Sequence, residues 1–516
     1  MTATKFDSQF DLLVAPWLLW LKKVLEPRSP QSPRKGNPGP GLALSCGLLF
    51  LGSACGGGGS SPSPQGPPPV APVEILAALR ATPGVASAQE SASGLSDARF
   101  FVFTFQQPVD HRNPAGPSFP QTLTLLYRSA TAPVVLATTG YDIPRSPAQG
   151  EPARILAANQ LQVEHRYFSS SVPNPMDWRY LDIFQAASDH HRVVQAFRPL
   201  LTGRWLSAGG SKGGMASIFH RRFFPADVDA TLAYVTPISF SEADMRYDAF
   251  VASRGTVASR AALVAWQQAI LLDRRDEVGT LLAADAAQRG HTFNSLGLDR
   301  TLEFAVLEAP FFLWQDGDAV RASQVPPATD SANALYGFLN SIYSNYGGAE
   351  GRWSDACLTY FAPYYYQSAC QLGNPSGVPR LQGVRYPEQD RPATYPPLGV
   401  TKIFDPAPML DIQSWVNTSA EKILFIYGEN DPWTAGAFEV PPAAQARDNR
   451  RYVVPGGNHG SHLSLLPEPQ RSEAYTLLAR WLGATVTPTA TLTSQAQEHE
   501  TYLRPRQLGV PVPAQK

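Results

Sequence analysis

The sequence predicts an α/β fold, a doubly wound, mostly parallel sheet with a helical cap inserted into it. Three observations carry that prediction. Short apolar runs alternate with helical periodicity through the first half, the pattern of strands joined through crossover helices. A glycine-rich turn, Gly209-Gly210-Ser211-Lys212-Gly213-Gly214, joins one such run directly to a helix. Between Thr236 and about Asp411 strand signals fade and helical patterning takes over, before apolar runs resume at Lys422.

Taken in order, Phe100 to Phe105, Leu123 to Tyr127, Val134 to Thr138 and Gln162 to Glu164 read as strands, mixed in direction at the N-terminal edge. A helix follows near Leu181 to Phe197, then the strand Arg204 to Ala208, the helix Gly213 to Phe223 and the strand Thr231 to Val235. Helical stretches then occupy Val257–Leu272, Arg275–Arg289, Leu302–Trp314 and Ala332–Tyr346. The late strands Lys422 to Tyr427 and Arg451 to Val454 complete the sheet. The expected organisation is a catalytic domain from 74–236 and 412–485, a cap insertion over 237–411, a linker over 56–73 and a flexible tail over 486–516. A cap over the site restricts access and favours short chains over folded protein.

Ser211 lies within G-x-S-x-G between strand and helix, which is the nucleophile elbow of α/β-hydrolases. The elbow forces strained backbone angles, and the residues two before and two after the serine must lack side chains to avoid collision. Asp431 follows the apolar strand ending at Tyr427-Gly428, just past the strand's C-terminal end, where open α/β sheets place their sites. His459 follows the last strand in the loop Gly456-Gly457-Asn458. The order Ser, Asp, His is that of α/β-hydrolases, and differs from the chymotrypsin and subtilisin orders.

The chemistry assigns the roles. A serine hydroxyl needs a base within hydrogen-bond reach, His459, which Asp431 would orient and stabilise when protonated. His462 is a rival base, with packing or capping as its bland role, and Glu429 and Asp405 are rivals to Asp431. The oxyanion hole would use the backbone N–H of Lys212 and that of Tyr141, where the strand Val134 to Thr138 ends at Gly140. The Lys212 side chain points away from Ser211 on an elbow, which argues against a Ser-Lys mechanism.

Several of these segments resemble the secreted tripeptidyl aminopeptidase family of serine peptidases found in mycelial bacteria, and more distantly the lysosomal prolyl carboxypeptidases. The likeness rests on Phe105-Gln106-Gln107-Pro108-Val109-Asp110-His111, Thr139-Gly140-Tyr141, Val163-Glu164-His165-Arg166-Tyr167-Phe168, Tyr180-Leu181 with Gln185-Ala186, the elbow, Gly428-Glu429-Asn430-Asp431-Pro432-Trp433 and Gly456-Gly457-Asn458-His459. It implies a serine exopeptidase that releases tripeptides from free N-termini. The residues alone imply acyl transfer to water through a serine, and a carboxylic-ester hydrolase on the same triad is the alternative. An aminopeptidase must also hold a substrate ammonium with a partly desolvated carboxylate. Glu242 and Asp244, between a strand and the cap, are the candidates, though each suits a helix cap equally well. Trp353, Tyr360, Phe361 and Tyr364 to Tyr366 suit the cap core, with pocket lining as the alternative. Glu164, His165 and Arg166 read as a buried ion-pair support for the site.

Composition excludes other classes. A net charge of −1 with 16% charged residues leaves no basic footprint for nucleic acid. No His/Cys cluster has metal-ligand spacing, so neither metal nor other cofactor is expected. Cys357 and Cys370, with twelve residues between them, could close a small disulfide loop in an oxidising compartment, or remain two buried thiols. Arg34-Lys35, the apolar run Gly41 to Ala54 and Leu51-Gly52-Ser53-Ala54-Cys55 resemble a bacterial lipoprotein signal within a 1–55 N-terminal extension. That resemblance implies a cell-envelope or extracellular location, with membrane contact only through a lipid on Cys55. The Gly/Ser/Pro-rich residues that follow would form a tether.

Overall fold

The computed structural model describes residues 74–376, 381–387 and 389–488. The N-terminal extension with Cys55, the linker and residues 489–516 lie outside the described residues.

Among these, nine strands form one sheet: β1 Val85–Ser91, β2 Arg99–Pro108, β3 Ser118–Tyr127, β4 Val134–Thr138, β5 Asn159–Val163, β6 Trp205–Gly210, β7 Ala230–Tyr234, β8 Ile423–Gly428 and β9 Arg450–Val454. Their order is β1-β2-β3-β5-β4-β6-β7-β8-β9. The β1–β2, β2–β3 and β3–β5 pairings are antiparallel and all later ones parallel, so the edge is mixed as its residues predicted. The chain steps outward from β4 to β5 and back across β4 to β6. Right-handed crossovers in opposite directions put their helices on opposite faces, which is what winds the sheet doubly.

Strand chemistry follows from that layering. In β8, Leu424 and Ile426 face the same core as Leu232, Tyr234 and the helix Gln470–Leu482. The alternate residues Ile423, Phe425 and Tyr427 meet Met215, Ile218 and Phe219 on the other face. Both faces are covered, so the strand is apolar throughout rather than alternating with polar residues. Each such side chain contributes about 1.5–3 kcal/mol on burial, so the central strands anchor the fold. β1 was not legible in the sequence because only Ala88 of its seven residues is buried. Its place at the edge comes from pairing with β2.

The helices that position the site are α1 Ile75–Ala81, α2 Glu151–Ile155, α3 Ile183–Phe197 and α4 Lys212–Phe223. Between β7 and β8 come α5 Arg246–Ser253, α6 Val257–Gln268, α7 Arg275–Arg289, α8 Leu298–Asp316 and α9 Ala332–Ile342, with shorter turns through Leu372. These share a core of their own that includes Trp266, Leu282, Phe304, Leu339 and Trp353. The chain returns to the sheet with α10 Ala407–Thr418, whose Met409, Ile412 and Val416 pack against α4 and β8. That return therefore begins five residues ahead of position 412, and Asp411 already pairs with Arg222 at 2.9 Å.

Beneath the N-terminal half of the sheet, Arg166 is wholly buried and grips both oxygens of Asp189 at 2.7 Å. His111 adds a third contact to Asp189 at 2.7 Å, and Arg166 also donates to the carbonyls of Pro108, Val109 and Tyr180. Burial alone would raise the Asp189 carboxyl. The Arg166 charge and the hydrogen bonds from Arg166 and His111 outweigh it and hold the group well below the usual carboxylate range. Glu164 takes no part in this pair and accepts from Ser171 at 2.7 Å. Removing one partner of a buried ion pair strands the other. Asp189→Asn is therefore expected to lower stability by about 3 kcal/mol, read as a shift in the urea midpoint.

Candidate active site

Ser211 occupies the turn between β6 and α4 with φ 52° and ψ −126°, a region that costs an ordinary residue about 1–3 kcal/mol. Its N–H donates to Tyr234 O at 2.9 Å and its carbonyl accepts from Met215 at 3.0 Å, so neighbours on both sides hold the strained turn. A side chain at Gly209 would strike the Gly213 carbonyl, and one at Gly213 would lie 2.7 Å from Thr138 O. The sequence requirement for bare positions around the serine thus has a packing cause.

Asp431 is fully buried just beyond β8. One oxygen accepts from Trp433 N at 3.1 Å and the other meets His459 Nδ1 at 2.8 Å. His459 lies beyond β9 and is itself 7% exposed. Its loop is held from the cap: His459 N donates to Gln315 O at 3.0 Å, and Asn458 Nδ2 donates to Gly317 O at 3.1 Å. Gln315 Oε1 also accepts from Trp433 Nε1 at 2.7 Å. The C-terminal end of α8 therefore braces the acid loop and the histidine loop together. On the far side, the fully buried Glu151 accepts from Tyr234 Oη at 2.9 Å, Leu463 N at 3.0 Å and Ser464 N at 2.9 Å. Neither Gln315 nor Glu151 carries a signal in the sequence.

The rival residues are occupied elsewhere. His462 bonds through Nδ1 to Gly460 O at 2.8 Å. Glu429 is a cap for Gly456 N at 2.7 Å, and Asp405 accepts from Ala407 N at 3.0 Å at the start of α10.

Lys212 turns its side chain under the 139–141 loop, and Nζ donates to Gly140 O at 2.7 Å. A Cβ on Gly140 would lie 2.5 Å from Lys212 Cβ, so only glycine permits this approach. Nζ lies 5.5 Å from the Tyr141 ring centroid and 5.1 Å from that of Phe168. Burial pushes the Lys212 ammonium well below its ordinary pKa, and burial together with the Lys212 charge does the same to His165. Tyr141 O accepts from His165 N at 2.9 Å and Thr139 Oγ1 at 3.1 Å, so successive carbonyls of this loop are fixed.

Ser211, Lys212 and Tyr141 line one cavity with Ser239, Tyr364, Leu372, Gly373 and Trp433. It encloses about 30 Å³, comparable to one water's share of liquid volume. Of the cap aromatics, Tyr364 reaches this cavity, while Trp353, Phe361 and Tyr365 belong to the cap core.

The candidate ammonium carboxylates are engaged elsewhere, and the two cysteines take the unpaired of their two alternatives. Asp244 is not a free carboxylate: Arg246 clasps it at 2.7 Å, and Phe240 N and Arg246 N donate to it at 3.3 and 3.1 Å. Glu242 is absent from the described residues that line the Ser211 cavity and instead feels Lys402 and Cys370. Cys357 and Cys370 form no disulfide; the first is buried in the cap core and both are free thiols.

A family model described as PS-10 peptidase S37 matches residues 69–505. A prolyl tri/tetrapeptidyl aminopeptidase from Streptomyces mobaraensis is 38% identical over 445 residues, covering 86% of this chain and 90% of that protein. Among solved structures, a proline iminopeptidase from Mycobacterium smegmatis is 15% identical over 77% of this chain and 99% of its own, with a TM-score of 0.34. A peroxisomal α/β-hydrolase from Saccharomyces cerevisiae is 12% identical over 79% and 97%, with a TM-score of 0.31.

The free thiols can be checked directly. Alkylation in denaturant without reductant is expected to modify both Cys357 and Cys370, as read by peptide mass spectrometry, and reductant is expected to leave Tm unchanged.

Proposed function

The chain belongs to the PS-10 peptidase S37 family and is a serine aminopeptidase on an α/β-hydrolase fold, and from that premise we propose that Ser211, His459 and Asp431 are its catalytic triad. The observation that carries this assignment is the 2.8 Å contact between His459 Nδ1 and the fully buried Asp431, with Trp433, two residues beyond Asp431, lining the same cavity as the strained Ser211.

The steps follow from those positions. His459 Nε2 takes the hydroxyl proton as Ser211 Oγ attacks the scissile carbonyl, and Asp431 fixes the imidazole tautomer and stabilises the imidazolium. The tetrahedral oxyanion is received by the backbone N–H groups of Lys212 and Tyr141. The C–N bond breaks as His459 returns the proton to the leaving amine. Water then attacks the acyl-serine ester through the same base, releasing the N-terminal fragment and restoring Ser211.

Lys212 has a second part in this reading. Gly140 C=O and Tyr141 N–H belong to one trans peptide, whose two dipoles point in opposite directions. By holding the carbonyl at 2.7 Å, Lys212 Nζ aims the N–H the other way and polarises it as a donor. The named activity of the 38% identical relative supports release of three or four residues from free N-termini. The run ending at Cys55 supports a lipidated, envelope-anchored enzyme, for which Cys55→Ala would release activity into the medium.

Ser211→Ala, His459→Ala and Asp431→Asn are each expected to cut peptide turnover by about 10³-fold or more with Tm little changed. Lys212→Met is expected to lower kcat by about 10²-fold with KM nearly unchanged, the signature of a lost transition-state contact. A free-amine tripeptidyl anilide should be cleaved rapidly to intact tripeptide and its N-acetylated twin slowly. Equal rates, or rapid acyl-ester hydrolysis alone, would favour the esterase alternative.

A further inference from the structure

The cap holds a second, much larger space, a chamber of about 730 Å³ between α5, α6 and α8. That is the size of sites that engulf a ligand of a few residues. Its walls are mainly apolar, including Tyr247, Val251, Leu263, Phe311 and Trp314, and Glu308 faces into it from α8.

The chamber adjoins the cavity at Ser211. Tyr247 lines the chamber and bonds through its hydroxyl to Ser239 of the Ser211 cavity at 2.8 Å. Trp433 of that cavity packs against Phe311 at 5.2 Å and Tyr247 at 5.7 Å. Gly373 lines one space and Pro375 the other, on a turn that Asp244 holds by accepting from Ser376 N and donating to Asn374 O. Asp244 thus has a structural task between the two spaces.

Glu308 is an unusual occupant of so apolar a wall. Its carboxyl neighbours that of Asp390, whose Oδ1 accepts from Tyr395 Oη and whose Oδ2 is buried without a hydrogen-bond partner, and among the described residues no cation lies within salt-bridge distance of Glu308. Asp248 adds a third carboxyl at the chamber wall. The cation that Glu308 feels is Arg352, which donates to Tyr365 Oη at 3.1 Å and is packed among the rings of Phe312, Trp353 and Phe361. Burial, reinforced by the neighbouring Asp390 charge, pushes the Glu308 carboxyl well above its ordinary pKa. Burial brings that of Asp390 to about 7. The chamber's own cations, Arg254 and Arg260, donate to the carbonyls of Glu429 and Gly255, which leaves the carboxyl pair to an incoming α-ammonium.

We propose that the chamber receives the N-terminal residues of the peptide and that Glu308, backed by Asp390, binds its α-ammonium. The assignment rests on the aminopeptidase reading above and names the group that confers it. Trp433 links the two ends of such a path: its ring lies 6.1 Å from that of His459 and 5.2 Å from that of Phe311, and Glu308 lies one helical turn before Phe311.

The test compares three substrates on the purified full chain: a free-amine tripeptidyl p-nitroanilide, its N-acetylated twin and p-nitrophenyl acetate. Glu308→Gln keeps the size and polarity of the side chain but lacks the charge. It is expected to lose about 30-fold or more in kcat/KM on the free amine, carried by KM, as when one partner of a buried charge pair is removed. Activity on the acetylated peptide and the ester should stay within about twofold, and Glu308→Asp should restore part of the free-amine activity. An unchanged preference for the free amine, or an equal loss on all three substrates, would overturn the assignment. A wild-type enzyme that hydrolyses the ester but neither anilide would overturn the peptidase reading, and the ammonium site with it.

Discussion

The left-handed backbone of Ser211 is the constraint from which the rest of the site is built. Such a turn is stable only where its surroundings leave it no alternative, and here β7 takes the serine N–H while α4 begins at the next residue. Glycines at 209 and 213 let the turn lie against the 138–140 loop without a side chain between them. That contact carries the Lys212 stem beneath Gly140, and so couples the 139–141 loop to the helix that begins at the elbow. One strained residue therefore dictates the placement of four others.

The cap does more than restrict entry. Its longest helix ends by offering the carbonyls of Gln315 and Gly317 to the loop that carries His459, and the Gln315 side chain to Trp433. Asp431 and His459 are positioned partly by these contacts, so movement of α8 would displace the loops that carry both.

Two buried charge systems show how environment separates a support from a site. Asp189 is surrounded by the donors of Arg166 and His111, its charge is answered, and it stiffens the sheet beneath the 139–141 loop. Glu308 meets another carboxyl instead, in a wall that is mainly apolar. Burying like charges together is unfavourable without a counter-charge, which is why the second arrangement points to a cationic ligand and the first does not.

What the sequence by itself determined was local. The elbow, the runs of β4, β6, β7, β8 and β9, and the order of Ser211, Asp431 and His459 were all legible. A strained turn requires glycine at fixed offsets, and a strand covered on both faces must be apolar along its length. The edge strand β1 escaped because it buries almost nothing of its own. Tertiary structure decided which charged groups are answered and which are not. Asp244 looked available until Arg246 closed on it, the two cysteines could have paired or stayed free and are free in the fold, and Asp189, Glu151, Gln315 and Glu308 carried no pattern at all. The cost of a buried charge is set by the partners that distant segments bring to it, and those partners exist only once the chain has folded.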